Sequence, residues 1–429
     1  MKIAIAGLGT VGAGLVRLLR ENGTALEQRC GCPIRISAVS ARDRLKDRGI
    51  VLDDSVTWFD DPLAMARDAD ADVIVELIGG ADGIALALCE AAFAAGRHVV
   101  TANKALIAHH GISLGEASEK QNLMLGYEAA VAGGIPIIKV LREGLAGNAI
   151  SGLYGILNGT CNYILSTMRE TGREFADVLA DAQEMGYAEF DPSFDVDGID
   201  TAHKLAILTS VAFGCRINFD DIAVEGIRHV TALDIRFAEE LGYRIKLLGI
   251  TRRTKDGVEQ RVHPCMVRQE SPIAHVDGVS NAIVAEGNFV GSTVYQGAGA
   301  GAGPTASAVA ADLVDIARES WRPIFSFPSA SLASLPTVPM DQHEGAYYIR
   351  LMVVDLPGVF ADVAATLRDE QVSMEAILQR TPASGEPVPV VLTTHDVNEA
   401  SLKRAVERFA AFDTVVEPPC MIRIEPLAF

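Results

Sequence analysis

The chain is expected to fold as an α/β protein with an N-terminal parallel sheet, and three observations carry that expectation. Lys2 to Ala6 reads as a strand running directly into Gly7-Leu8-Gly9-Thr10-Val11-Gly12 and then an apolar helix. Strand and helix patterns alternate from there to about residue 130, the signature of a parallel sheet. Residues 345–429 read strand, helix, strand, strand, helix, strand, which predicts a ferredoxin-like βαββαβ unit at the C-terminal end.

The glycine run has the setting that a GxGxxG turn needs. Gly7 permits the tight turn, Gly9 lets a pyrophosphate approach the backbone, and Gly12 lets the helix pack closely on the strand. Phosphates would lie over the positive helix N-terminus, near Thr10 and Val11, so a Rossmann-type dinucleotide site is expected here. Val11, Leu15, Leu18 and Leu19 follow at helical spacing, and Ile34–Val39, Val73–Ile78, Arg97–Thr101 and Met124–Tyr127 read as further strands. An alanine-rich helix over 85–95 separates the third strand from the fourth.

From Val131 the pattern turns to longer apolar helices and then to a mixed region without a second dinucleotide fingerprint, the expected place for a substrate-binding and dimerisation domain of α+β type. A glycine and alanine loop over 297–303 feeds a helix from Thr305 to about Glu319, and proline and serine accumulate over 323–339. The expected division is therefore 1–130, completed by 297–322, for the dinucleotide, 131–296 for the substrate, a linker over 323–344, and 345–429 for the tail.

With 429 residues and 49% hydrophobic content the chain can bury several cores, yet no apolar stretch suffices to span a bilayer. The net charge of −19, from 56 acids against 37 bases, opposes attraction to nucleic acid or an anionic membrane. The seven scattered cysteines, with no secretory cleavage site near the N-terminus, point to reduced thiols and a cytoplasmic protein.

Three segments carry candidate chemistry. The second strand ends Ser40-Ala41-Arg42-Asp43, where Arg42 favours the 2′-phosphate of NADP and Asp43 keeps NAD open. Thr101-Ala-Asn-Lys104 puts a lysine just past the fourth strand, where the nicotinamide end would lie. Between Gly186 and Leu205, the acids Glu189, Asp191, Asp195, Asp197 and Asp200 precede Lys204. On a helix starting near Gly198, Asp200 and Lys204 share a face. That spacing suits a surface ion pair, or a buried lysine poised for proton transfer with Glu189 free to bind an ammonium group. The small-residue run from Glu128 to Pro136 offers backbone carbonyls that can bind a hard cation, although nothing in the composition requires one.

Taken with Asn158-Gly-Thr-Cys-Asn-Tyr163 and the Gly297–Thr305 loop, these motifs resemble homoserine dehydrogenase over nearly the whole chain, and the tail, with Asp355-Leu-Pro-Gly358 after its first strand, resembles an ACT domain. No aspartokinase region precedes the glycine turn, so the monofunctional form is expected. The resemblance implies NAD(P)-dependent interconversion of L-homoserine and L-aspartate 4-semialdehyde, on the route to threonine, methionine and isoleucine. It implies Lys204 as proton donor and acceptor, Lys104 in contact with cofactor and substrate, and Glu189, Asp195 and Asp200 as substrate ligands, Asp200 also orienting the lysine. Thr101, Gly186 and Gly301 match cofactor positions, and Glu128, Val131, Gly133 and Ile135 match a sodium loop. A homodimer or homotetramer, with threonine as effector of the tail, completes what the resemblance implies.

Overall fold

The computed structural model describes residues 1–379 and 387–427. Its first part is an open parallel sheet of six strands: β1 (Lys2–Ala6), β2 (Arg35–Ser40), β3 (Thr57–Phe59), β4 (Val73–Glu76), β5 (His98–Thr101) and β6 (Leu125–Gly126). Their order is β3-β2-β1-β4-β5-β6. The chain reverses direction across the sheet between β1 and β4, and ligands in such sheets bind at the carboxyl ends beside that point. Helices α1 (Thr10–Cys30), α2 (Pro62–Asp68), α3 (Ile84–Ala94) and α4 (Lys104–Lys120) cover the faces. Ile3 to Ala6 and Val73 to Val75 are fully buried, which is why these strands read as continuous apolar runs.

Strand β3 has no counterpart in the sequence reading, since three residues are too few to show a period. The third expected strand stops at Glu76 instead of Ile78. The Glu76 carboxylate turns back to accept hydrogen bonds from the Ile78 and Gly79 N–H groups at 2.7 and 3.1 Å, ending the extended run.

The middle of the chain supplies α5 (Ile137–Lys139), β7 (Ile150–Ile156), α6 (Gly159–Thr171), α7 (Phe175–Glu184), α8 (Ser193–Val196), α9 (Ile199–Phe213), β8 (Ala223–Val224), α10 (Ala232–Glu240), β9 (Tyr243–Arg253), β10 (Val258–Arg268), β11 (Ser280–Gly287) and β12 (Gly291–Ala298). The last strand shortens the expected glycine loop, because Gly297 and Ala298 pair with Asn281 and Ser280 of β11. Helix α11 (Ala302–Ala317) then starts before Pro304, not after it. Proline is tolerated in a first helical turn, where its missing N–H would have had no partner. This helix packs on α1, and Leu15, Val16 and Leu19 share one core with Val309, Leu313 and Ile316.

The tail forms β13 (Glu344–Val353), α12 (Val359–Asp369), β14 (Met374–Gln379), β15 (Val388–Thr394), β16 (Val397–Asn398), α13 (Glu399–Ala410) and β17 (Cys420–Glu425), the expected order with the two-residue β16 added. Arg380, the expected end of its second strand, lies outside the described residues. β17 runs parallel to β10, so the tail and the middle share one sheet of order β12-β11-β7-β9-β10-β17-β13-β15-β14. Ion pairs cross this seam: Arg261 with Glu425 and Arg350 with Asp234, both buried, and Arg423 with the part-exposed Glu225. The proline-rich strap over 323–339 is irregular but packed, with Ile324, Phe325 and Leu332 buried and Thr337 bridging Val258. Among the described residues no helix is long and apolar enough to cross a membrane.

Candidate functional site

The glycine turn is shaped by close approaches. Gly7 has φ +103°, and a Cβ there would stand 2.4 Å from the Leu77 carbonyl oxygen; one at Gly12 would stand 2.1 Å from the Gly7 oxygen. Gly9 differs, because nothing lies within 4 Å of where its Cβ would be. Gly9 is also the N-cap of α1, whose first turn carries no acidic residue and no capping side chain. The first N–H groups of α1, at Thr10 and Val11, have no capping side chain and, with open space at Gly9, leave a cradle that fits a pyrophosphate. The second glycine loop converges on the first: a Cβ on Gly14 would meet the Ala302 oxygen at 2.6 Å, and Gly301, φ +122°, caps α11 there.

At the tip of β2 the Ser40 carbonyl accepts the Gly7 N–H at 2.9 Å. Arg42 is exposed. The cation that reaches the glycine turn is one the sequence reading passed over: Arg48 Nε donates to the Leu8 carbonyl at 3.0 Å, and its guanidinium lies 5.9 Å from the Trp58 ring centre, with Arg44 at 5.7 Å. Its signal was a second basic pair, Lys46 and Arg48, just past the strand tip.

Glu76, Thr101 and Asn103 join the ends of β4 and β5. Thr101 Oγ1 donates to Glu76 Oε2 at 2.6 Å and accepts the Asn103 N–H at 2.9 Å, while Asn103 Nδ2 donates to the Gly80 carbonyl at 2.6 Å and its Oδ1 caps α4 at Leu106. Thr101 is fully buried, so its side chain acts as a brace under the cleft. Glu76 was legible as the one acid ending an apolar strand. Together these bonds fix the first residue of α4, Lys104.

Lys104 reaches across to α9. Its Nζ stands 2.6 Å from Asp200 Oδ1, a direct ion pair. Asp200 Oδ2 accepts from Lys204 Nζ at 2.7 Å, one helical turn on, and Lys204 also donates to the Leu157 carbonyl at 2.6 Å. Lys204 is 7% exposed and Asp200 2%, so the i, i+4 pair is a buried one. Burial alone would raise the Asp200 carboxyl, but Lys204 and Lys104 overcome it and hold it below the usual carboxylate range. Burial pulls the Lys204 ammonium down, with Asp200 opposing and Lys104 assisting.

Asp195, on α8, joins this group through Asn158, whose Nδ2 donates to it at 2.7 Å. Burial and the Asp200 charge hold the Asp195 carboxyl above its usual range. Glu189 does not join it: the residue is exposed, and its carbonyl accepts from Gln183 Nε2 at 2.9 Å. Gly186, φ +75°, ends α7 in an exposed turn. His203 stacks on Phe219 at 4.3 Å and on Phe194 at 5.5 Å, and its Nε2 meets His109 Nε2 of α4 at 3.2 Å. Burial and His109 push His203 down to about 4, so it is neutral and ties α9 to α4 near both lysines.

In the 128–135 loop the Glu128 carboxylate is committed, accepting the Ile138 and Lys139 N–H groups at 2.9 Å each. Burial and then Asp312 raise it to about 8. Ala132 turns left-handed at φ +49°, and the Gly133 and Gly134 N–H groups donate to the Gly299 and Ala298 carbonyls. The Glu128 and Ile135 carbonyls accept the Val131 and Ile137 N–H groups at 3.4 and 2.7 Å, so a hard cation here would have to use the remaining lone pairs of main-chain oxygens.

Residues 136–314 match the family model described as homoserine dehydrogenase, residues 7–128 the homoserine dehydrogenase NAD binding domain, and residues 347–413 the ACT domain. The homoserine dehydrogenase of Neisseria gonorrhoeae is 46% identical, covering 100% of this chain and 99% of the relative. A crystal structure of a homoserine dehydrogenase from Thiobacillus denitrificans superposes with TM-score 0.92 at 45% identity, over 99% of this chain and 98% of the other. A hyperthermophilic archaeal homoserine dehydrogenase in complex with NADPH matches with TM-score 0.64 at 26% identity, over 75% of this chain and 99% of its own.

Proposed function

The chain belongs to the homoserine dehydrogenase family, and from that premise we propose that the cleft at the carboxyl ends of the parallel strands, where α4 meets α9, interconverts L-homoserine and L-aspartate 4-semialdehyde, with Lys204 moving the proton. The observation that carries this reading is the buried Asp200 carboxylate shared between Lys104 and Lys204. A nicotinamide cofactor supplies the hydride in reduction and takes it back in oxidation. When hydride reaches the aldehyde carbon, negative charge develops on oxygen, and the Lys204 ammonium both stabilises that charge and donates the proton. In the reverse direction neutral Lys204 removes the hydroxyl proton. Asp200 sets the charge and direction of both lysines, and Lys104 lies where the cofactor and substrate would meet.

Asp195 and Glu189 would receive the substrate ammonium, Glu189 from the exposed turn ahead of α8. Gly7, Gly9, Thr10, Val11 and Gly12 would hold the pyrophosphate, with Thr101, Gly186 and Gly301 completing the cofactor site. The non-acidic tip of β2, with Arg42 and Arg48 beside it, supports NADP over NAD. Main-chain oxygens of Glu128, Val131, Gly133 and Ile135 would hold sodium, which a rise in Tm on replacing choline chloride with sodium chloride would show.

The tail is read as the threonine sensor and the protein as a cytoplasmic homodimer or homotetramer. Phe289, Val290 and Val294, exposed together at the turn before β12 and along that edge strand, support a copy-to-copy contact there, and sedimentation tests it. One assay tests the rest: purified protein with aspartate semialdehyde and either NADPH or NADH, with and without threonine. Absence of turnover with both cofactors would refute the activity, and an unaltered rate at saturating threonine would refute the sensor role.

A further inference from the structure

The Asn158-Gly-Thr-Cys-Asn-Tyr163 motif has no part in the chemistry above, yet its first residue stands inside the charge cluster. Leu157 and Asn158 are the two residues between β7 and α6. The Leu157 carbonyl accepts from Lys204, as described. The Asn158 side chain is used at three points: Oδ1 accepts the Cys161 N–H at 2.8 Å and caps α6, while Nδ2 donates to Asp195 Oδ1 at 2.7 Å and to Asp200 Oδ2 at 2.8 Å. A primary amide has two N–H groups, and here each meets a different carboxylate.

Two carboxylates sharing one donor atom repel each other, and one takes up a proton unless other groups hold both charged. Asp200 is in direct contact with two ammonium groups for that purpose, whereas the donor in direct contact with the Asp195 carboxylate is the amide. We propose that Asn158 is a positioning residue that keeps Asp195 ionised beside Asp200 and aimed at the cleft, so that Asp195 can receive the substrate ammonium. The inference rests on the reading of Asp195 as a substrate ligand.

The groups that face Asp195 come from three helices. Asp200 of α9 opposes its charge, while Lys204 of α9 and Lys104 of α4 favour it. Cys161 of α6 is a neutral thiol that donates to the Asp195 carbonyl at 3.2 Å. With burial and Asp200 already lifting the Asp195 carboxyl, loss of the Asn158 bond moves it further up, so less of it is charged on the acid side.

Asn158→Ser and Asn158→Asp separate this role from helix capping. Serine and aspartate cap helix N-termini about as well as asparagine, so α6 keeps its start, but neither restores the paired N–H donors. In Asn158→Ser the rise of the homoserine KM on the acid side, which follows Asp195 apart from the kcat limb set by Lys204, should begin about one pH unit higher, a loss of about tenfold in apparent affinity at the acid end. That loss should disappear in alkali, with the cofactor KM unchanged. Asn158→Asp, which adds a third acid, should move the rise further the same way. Wild-type profiles in both variants would overturn the inference, because capping alone predicts that result. Asp195→Asn, measured beside them, distinguishes the two ways of failing. A raised homoserine KM there with an unshifted Asn158→Ser profile sinks only the role of Asn158, and a wild-type KM there sinks the substrate reading beneath it.

Discussion

Replacing Asp200 with asparagine removes the charge that two lysines share and should change the two reaction directions unequally. Asp200 Oδ2 lies 2.7 Å from Lys204 Nζ. At an effective dielectric of about 20, a full unit charge at that distance is worth about 6 kcal/mol. Asparagine keeps a partly negative carbonyl oxygen at this position, so about half of that, on the order of 3 kcal/mol, is lost on substitution and corresponds to about two pH units. Asp200 is the group that opposes the fall of the Lys204 ammonium on burial, so Asp200→Asn should lower it further. Lys204 would then be neutral over more of the pH range, as a base should be and an acid should not. In homoserine oxidation the acid limb of kcat should move down by about two units, and the alkaline limb of semialdehyde reduction should move down with it, a loss of up to about a hundredfold on the alkaline side of that profile. Steady-state profiles in both directions test this. Equal losses in both directions with unmoved limbs would refute the argument that Asp200 acts through the charge of Lys204.

Gly12→Ala and Gly9→Ala should differ in kind. The Gly12 Cβ would stand 2.1 Å from the Gly7 oxygen, so that variant should lose about 1–3 kcal/mol of stability to overpacking, read as a lower Tm. Gly9→Ala has open space, so its Tm should hold while its cofactor KM rises; a matching Tm loss would contradict the cradle geometry. Arg48→Ala should reduce kcat/KM for NADPH by about tenfold or more and for NADH much less, as expected for a lost charged hydrogen bond. Equal losses would mean that Arg48 only braces the glycine turn. Asp277 is held well below the usual carboxylate range: burial would raise it, but hydrogen bonds from Arg169 and the nearby Lys246 ammonium prevail. Its stabilisation is therefore present above the unfolded aspartate value of about 4 and is lost as pH falls below it. The Tm deficit of Asp277→Asn should be full at neutral pH and shrink in acid, and a deficit that widened in acid would reverse the sign.

Local features of this chain were legible from spacing. The glycine turn, the shared face of Asp200 and Lys204, and the order of elements in the tail depend on periods of two to seven residues, and those periods survive in the sequence. Whether the Asp200–Lys204 pair was a surface pair or a buried one was not legible, because burial comes from Leu157 and Lys104, 47 and 96 positions from Lys204 and Asp200 respectively. Asn158 was visible only as part of a motif, since its donors are aimed by the end of β7. Arg48 was hidden for a similar reason: it reaches Leu8 by a loop path no period describes. The union of the tail with the middle sheet was beyond reach as well. β17 and β10 pair through backbone groups that every residue carries, and their buried arginines look like ordinary charged residues until the sheets meet.

The central claim is that Lys204 carries the proton while the glycine cradle holds the cofactor independently of it. It is tested most directly by Lys204→Ala, with kcat and the cofactor Kd measured on the same protein. The account predicts that turnover falls by about 10²–10⁴-fold with the cofactor Kd nearly unchanged, because the lost contact belongs to the transition state. A kcat near that of the unmodified protein would contradict it.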